Sequence, residues 1–182
     1  FKFVDLGGGM GISYSKKEKQ INLKQYAKLV NKFTKNKDSK IIFEPGRFII
    51  GNAGILITKI IYIKKSGNKY FVILDAGMNN LMRPALYDAH HQIIPVKKAN
   101  KLFRGKLEFV GPVCESSDKF STQKIFSQIK EGDYLGLADV GAYGMSLSSN
   151  YNTRPTIAEI MVSGSKHKII RKRQSLENLV NN

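Results

Sequence analysis

Apolar and polar positions follow two different rhythms along this chain, and the change of rhythm divides it. Phe3 to Leu6 is a short apolar run that ends in Gly7, Gly8 and Gly9. A buried strand entering a tight loop has this form. Leu23, Tyr26, Ala27, Val30 and Phe33 then recur at helical spacing with lysines between them. That spacing predicts an amphipathic helix with Asn22 as its N-cap. Lys40 to Phe43 predicts a second buried strand, ending at Glu44-Pro45-Gly46. Strand, loop, helix, strand is the order of parallel β/α units.

After Gly51 the pattern becomes that of short strands. Ile55 to Ile63 is β-branched and apolar, Lys64 to Asn68 predicts a hairpin turn, and Tyr70 to Leu74 the return strand. Further strands are predicted at Ile93–Val96, Leu107–Val110, Tyr134–Leu137, Thr156–Val162 and Lys168–Ile170. Short helical stretches are expected at Leu81–Tyr87, near Met145 and at Arg173–Val180. The pattern thus predicts an α/β portion over residues 1–52 and a mostly β domain over 53–182, with no internal repeat.

Length and composition narrow the class. The 182 residues suffice for one domain or a little more, and 42% hydrophobic content is ordinary for a globular chain. No apolar run approaches the roughly 18 residues of a membrane span, so no membrane partner is expected. The opening Phe1-Lys2-Phe3-Val4-Asp5 has neither an initiator Met nor a leader-like pattern. It reads as the interior of a protein entered at a strand, and upstream residues are expected. A single cysteine, Cys114, rules out an internal disulfide and a cysteine-based zinc cluster. A reducing, cytoplasmic setting is the simplest expectation.

The formal charge of +16 raises the question of nucleic acid. Residues 1–40 hold ten lysines against three acids, and residues 166–182 five basic residues against one acid. Residues 41–165 hold fifteen basic and ten acidic residues. The excess therefore falls on one surface helix and a tail, which favours a solvated lysine face. No nucleic-acid partner is expected.

Five segments carry chemistry-bearing residues, and each also has a plainer reading. Asp5–Gly11 places glycines after a strand, where backbone N–H groups can cradle a phosphate or simply make a tight turn. Glu44-Pro45-Gly46-Arg47 puts a carboxylate and a guanidinium at a strand end, as a ligand site or a surface ion pair. Asp75–His91 gathers Arg83, Tyr87, His90 and His91. The two histidines are adjacent and share no helix face, so no metal site is expected. Cys114 and Glu115 lie in a turn-flanked stretch, where a thiol can be a buried small group or a tuned proton donor. Tyr143 stands among small residues, as a pocket phenol or a core tyrosine.

Their order is more specific than any one of them. DLGGGMGI, EPGRFIIGNAG, DAGMNNLMRPALYDAHH, GPVCESSD and GAYGMSLSSNYNTRP follow one another here as in the diaminopimelate decarboxylases, which the chain resembles from Val4 to about Pro155. These are fold-type III enzymes dependent on pyridoxal 5'-phosphate (PLP). RPALYDAHH and GPVCES are the more specific motifs; the glycine and EPGR motifs are shared with ornithine and arginine decarboxylases.

The resemblance implies the C-terminal strands of a PLP-binding, alanine-racemase-like (β/α)8 barrel, then a mostly antiparallel β-barrel or sandwich domain. It implies decarboxylation of meso-diaminopimelate to L-lysine and CO2, the last step of lysine biosynthesis. By the same resemblance Gly9 lies at the cofactor phosphate and Glu44 faces the pyridine nitrogen. Pro45, Gly46 and Arg47 belong to the cofactor loop. Arg47, Arg83 and Tyr87 resemble substrate-carboxylate ligands, and Tyr143 contacts both cofactor and substrate. Cys114 resembles the proton donor and Glu115 the ligand of the distal ammonium. Both are implied to act in the neighbouring subunit of a homodimer. A guanidinium beside a carboxylate matches the far end of diaminopimelate, an amino-acid head, better than the lone ammonium of ornithine.

The chain also departs from the pattern. The Schiff-base lysine of the family lies upstream of the glycine loop, where only Lys2 stands here, and Lys2 does not match its motif. Asp139-Val140 is a smaller departure. The expectation is therefore a portion of a decarboxylase that needs an N-terminal barrel segment, in cis or in trans, and is inactive alone. A decarboxylase of ornithine, arginine or a polyamine precursor, and a non-catalytic dimerisation fragment, are the alternatives.

Overall fold

The structure, a computed structural model, describes residues 1–15, 18–36, 38–97 and 99–181. It begins with the expected β/α unit. Strand β1 (Phe3–Asp5) leads through the glycine loop to helix α1 (Leu23–Thr34), and strand β2 (Lys40–Ile42) returns parallel to β1. Asn22 caps α1, its side chain accepting from the Gln25 N–H at 3.1 Å. The apolar stripe of α1 forms as the spacing predicts but is not enclosed: Leu29 is 67% exposed and Phe33 50%. Tyr26 packs its ring on Phe43, and no residue of α1 is buried.

A short helix α2 (Gly46–Ile50) and a single 3-10 turn (Gly51–Ala53) lead into the second part. Strands β3 (Ile55–Ser66), β4 (Lys69–Leu74), β5 (Ile93–Pro95), β6 (Leu102–Val110), β7 (Lys119–Ser127) and β8 (Tyr134–Ala138) form one sheet in the order β5-β8-β3-β4-β6-β7. All neighbours are antiparallel except β4 and β6, so the mostly antiparallel expectation holds. Along β3 the inward positions Leu56, Thr58 and Ile60 alternate with outward ones, the period-2 rule of a sheet with one covered face. They meet Val72, Leu74, Leu107, Phe109, Leu135 and Leu137 in the core. An antiparallel hairpin, β9 (Glu159–Ser163) with β10 (Lys166–Arg171), and the short helix α4 (Leu176–Val180) complete the chain. Among the described residues no helix is long and apolar enough to cross a membrane.

Three local expectations are corrected. The hairpin turn is Gly67-Asn68 alone, because Lys64, Lys65 and Ser66 still pair with β4. Strand β7 went unrecognised; its Lys119, Gln123 and Lys124 break up the apolar signal. Strand β9 starts at Glu159 and not at Thr156, whose backbone N–H and C=O bond Gln174 instead of a ladder partner.

The topology explains where the candidate residues collect. A parallel β4–β6 pair requires the chain to cross back from one end of the sheet to the other. The crossover, residues 75–101, carries helix α3 (Arg83–Tyr87) and β5. Strand β3 starts beside the end of β8, with Ile55 opposite Ala138. Strand β6 ends beside the end of β4, with Val110 opposite Ile73. The segments 44–54, 75–91, 111–118 and 139–155 therefore all emerge at one end of the sheet.

Candidate functional site

The glycine loop and the Glu44 segment meet at the ends of β1 and β2. The Glu44 N–H donates to Gly7 O at 2.9 Å, and Asp5 turns the loop by accepting from the Gly7 N–H at 2.7 Å. A Cβ at Gly8 would come within 2.5 Å of the Glu44 carbonyl oxygen, and Gly7 and Gly9 have φ of 68° and 76°. Only glycine fits so close an approach at those angles. Gly9, Glu44, Pro45 and Gly46 thus form one exposed or half-exposed rim of backbone.

From that rim Arg47 reaches across to Tyr143, with its guanidinium carbon 5.5 Å from the ring centre. Tyr143 sits in a left-handed conformation, φ 61°. Its loop is docked on the turn before β3: Gly141 N–H donates to Gly51 O at 3.0 Å and Val140 N–H to Gly54 O at 3.1 Å. A Cβ at Gly141 would overlap the Ile50 carbonyl.

Arg83 lies in a different environment. It is 5% exposed, and among the described residues its guanidinium has no carboxylate partner. Nη1 is 3.1 Å from His91 Nε2, and the guanidinium carbon lies 4.9 Å from the centre of the Tyr14 ring. Asp88, left-handed at φ 50°, turns the chain at the end of α3 so that His91 comes back against Arg83. Burial is the main cause lowering the His91 pKa; the Ala138 carbonyl works against it and the Arg83 charge with it. A buried guanidinium without a counter-charge is costly, and an anion entering from the cavity would supply one.

That cavity holds about 710 Å³ and is lined by Tyr14, Glu18, Arg47, Arg83, Tyr87, Ala89, His90, Tyr143 and Leu147. Four residues expected to bind substrate, Arg47, Arg83, Tyr87 and Tyr143, therefore share one space, with His90 among its lining. Their donor set of two guanidiniums and phenols suits carboxylates and phosphates. The adjoining glycine rim suits the phosphate of PLP, so the residues present fit that cofactor. Among the described residues no three potential metal ligands cluster.

Cys114 and Glu115 do not line the cavity. Both are exposed, on the loop after β6. Asp118 shapes this loop. Its Oδ1 accepts from the Met78 N–H at 2.7 Å and its Oδ2 from the Val113 N–H at 2.8 Å. Burial raises the Asp118 pKa despite those bonds. Tyr151 donates from its hydroxyl to Glu115 Oε2 at 3.0 Å, and that bond raises the phenol's own pKa.

Sequence reasoning passed over Tyr14, Glu18, Asp118 and Tyr151 and drew no role for His91. The one signal for Tyr14 was an aromatic residue close behind the glycine loop; the others gave none.

A family model described as pyridoxal-dependent decarboxylase, C-terminal sheet domain, matches residues 12–141. The chain is 42% identical over 179 residues to a diaminopimelate decarboxylase of Aquifex aeolicus, covering 98% of this chain and 42% of that protein. It is 44% identical over 178 residues to the Zymomonas mobilis enzyme of the same name, covering 97% of this chain and 42% of that one. The crystal structure of diaminopimelate decarboxylase from Helicobacter pylori complexed with L-lysine superposes with a TM-score of 0.91 at 43% identity, over 99% of this chain and 44% of that one. The chain thus spans less than half the length of these relatives.

Proposed function

This chain belongs to the pyridoxal-dependent decarboxylase family, and on that premise we propose that it is the C-terminal portion of a diaminopimelate decarboxylase. The enzyme would convert meso-diaminopimelate to L-lysine and CO2 in the cytoplasm. The observation that carries the reading is the meeting of Arg47, Arg83, Tyr87 and Tyr143 in one cavity, with Arg47 following directly on Glu44-Pro45-Gly46. Two guanidiniums suit a substrate with two carboxylates.

PLP, when bound, supplies the electron sink that makes loss of CO2 feasible. The residues of this chain then have separate tasks. Backbone N–H groups around Gly9 hold the phosphate, with Pro45 and Gly46 shaping the same rim. The Glu44 carboxylate holds a proton on the pyridine nitrogen. Arg47 and Tyr143 pack on each other and position the reacting end of the substrate. Arg83 and Tyr87 hold the carboxylate at its far end. Cys114, from a neighbouring subunit, delivers the Sγ proton to the carbon that has lost CO2. Glu115 of that loop takes the distal ammonium. An exposed loop outside the chain's own cavity is what a shared homodimer site requires.

The β1–α1–β2 unit supports a further part of the reading. Parallel strands are ordinarily covered on both faces, yet Phe3, Ile42, Leu29 and Phe33 are exposed. We assign this surface to the remaining strands of a (β/α)8 barrel that also carries the cofactor-binding lysine, in cis or in trans. Residues 1–52 would then close the barrel and 53–182 form the β domain. By this reading the 182 residues alone do not turn over.

The test is CO2 release from meso-diaminopimelate by the full-length protein with PLP, beside ornithine and arginine. Lysine and CO2 from diaminopimelate alone is the expected result. Turnover of ornithine or arginine in its place would move the assignment to a related decarboxylase. Turnover of none would leave the dimerisation alternative.

A further inference from the structure

Arg83 is held from two directions by groups with no assigned role. His91 is 1% exposed, and its Nδ1 lies 2.9 Å from the Ala138 carbonyl oxygen. A carbonyl only accepts, so Nδ1 must carry the ring proton. Nε2 is then a bare acceptor and takes an N–H from Arg83 Nη1 at 3.1 Å. The lowered pKa of His91, caused first by burial, agrees with a neutral ring. Tyr14 stands against both partners: its ring meets Arg83 at 4.9 Å and His91 edge-on at 5.5 Å. The Tyr14 hydroxyl is buried without a hydrogen-bond partner, so contact with the guanidinium, not a bond from the hydroxyl, accounts for the ring's placement.

Resting on the reading of Arg83 as the ligand of the substrate's far carboxylate, we infer that Tyr14 and His91 are its positioning residues. Tyr14 covers one face of the guanidinium and His91 takes one of its five N–H donors. The fork is thereby pinned, and the remaining donors face the cavity as a prearranged carboxylate receptor. An unpinned arginine would have to give up side-chain freedom each time ligand bound. The acceptor on His91 is also selective: a second positive charge there would repel Arg83, whereas a neutral imidazole adds a bond without opposing charge.

The test is equilibrium binding by calorimetry to the full-length PLP-loaded protein, using L-lysine and cadaverine. These ligands share the carbon chain and two amines and differ in the carboxylate that Arg83 would take. His91→Leu and Tyr14→Leu are each expected to weaken L-lysine about tenfold, a size typical of losing one buried cation–π or charged hydrogen bond. Cadaverine binding should stay within twofold. His91→Gln, which keeps an acceptor, and Tyr14→Phe, which keeps the ring face, should bind L-lysine nearly as the parent does. Thermal melts accompany each variant. His91 is wholly buried and His91→Leu can lose its fold; Tyr14, half-buried, then carries the test alone. If Arg83→Leu loses L-lysine binding while Tyr14→Leu and His91→Leu keep it, positioning is overturned and the proposed function stands. If Arg83→Leu itself keeps L-lysine binding, the far-carboxylate reading and this inference fall together.

Discussion

Asp118→Ala should destabilise the sheet end that carries every candidate loop. The Asp118 carboxylate is the acceptor for two backbone N–H groups, Met78 at 2.7 Å and Val113 at 2.8 Å, the second fully buried. Alanine leaves both donors without that acceptor. A hydrogen bond to a charged group contributes about 1.5–3 kcal/mol, giving roughly 3–6 kcal/mol for two. The deleted carboxylate was itself buried, and burial raises its pKa, so part of that sum is returned. A net loss of about 2–4 kcal/mol is expected, a large share of the roughly 5–15 kcal/mol typical of a domain. Asp118→Asn keeps one acceptor oxygen and turns an NH2 toward the other donor, so about half the loss is expected. The chain contains no Trp, so urea unfolding is followed by far-UV circular dichroism. The pH dependence has a definite sign. A folded pKa above the unfolded one makes the Asp118 contribution greatest below the ordinary aspartate value of 3.8 and smaller as pH rises through the folded value. Wild type should therefore lose part of its advantage over Asp118→Asn as pH rises through that window. Equal losses for Ala and Asn, or an Ala loss under about 1 kcal/mol, would refute this account of the loop.

Three further outcomes follow from the geometry. Gly141→Ala forces a Cβ into the Ile50 carbonyl and should cost about 2–4 kcal/mol in thermal or urea melts. Gly11→Ala, where an added carbon meets nothing within 4 Å, is the control and should melt close to wild type. Tyr151→Phe removes the hydroxyl that donates to Glu115; steady-state kinetics on the full-length enzyme should show KM for diaminopimelate rising about threefold to tenfold with kcat retained, the size of one exposed charged hydrogen bond. His91 has a folded pKa below its ordinary 6.5, so the unfolded chain binds the extra proton first. Its contribution is complete above pH 6.5 and lost as pH falls toward the folded value, and the pH slope of stability in this window should be shallower in His91→Gln.

The sequence pattern anticipated the elements better than their enclosure. Lysine-interleaved spacing located α1 and its Asn22 cap because both signals are local. It could not say that Leu29 and Phe33 stay exposed, which depends on what packs against the helix. Strand β7 was missed for the opposite reason. It is held by pairing with β6 along most of its length, and the polar Thr122 and Lys124, in phase with the buried Phe120 and Phe126, interrupt the alternation that marks a strand.

The candidate site divides along a similar line. The proposed ligand residues Arg47, Arg83, Tyr87 and Tyr143 were legible as candidates because each stands at a fixed place in its motif; that they share one cavity was not. Tyr14, His91, Asp118 and Tyr151 act on other side chains or on backbone. Each has at least one partner far along the chain: Tyr14 meets Arg83 across 69 positions, His91 meets Ala138 across 47, Asp118 meets Met78 across 40 and Tyr151 meets Glu115 across 36. Nothing local marks such residues. What brings them together is the crossover between the parallel strands β4 and β6 and the antiparallel approach of β3 to β8. The same two features place the glycine rim, the buried guanidinium and the exposed cysteine loop at one end of the sheet. A change in that topology would scatter the supports while leaving every motif intact, so the motifs identify the chemistry but the sheet order makes it possible. Breaking the Gly54–Gly141 junction should accordingly disturb Tyr143 and Arg47 together, although neither side chain is itself changed.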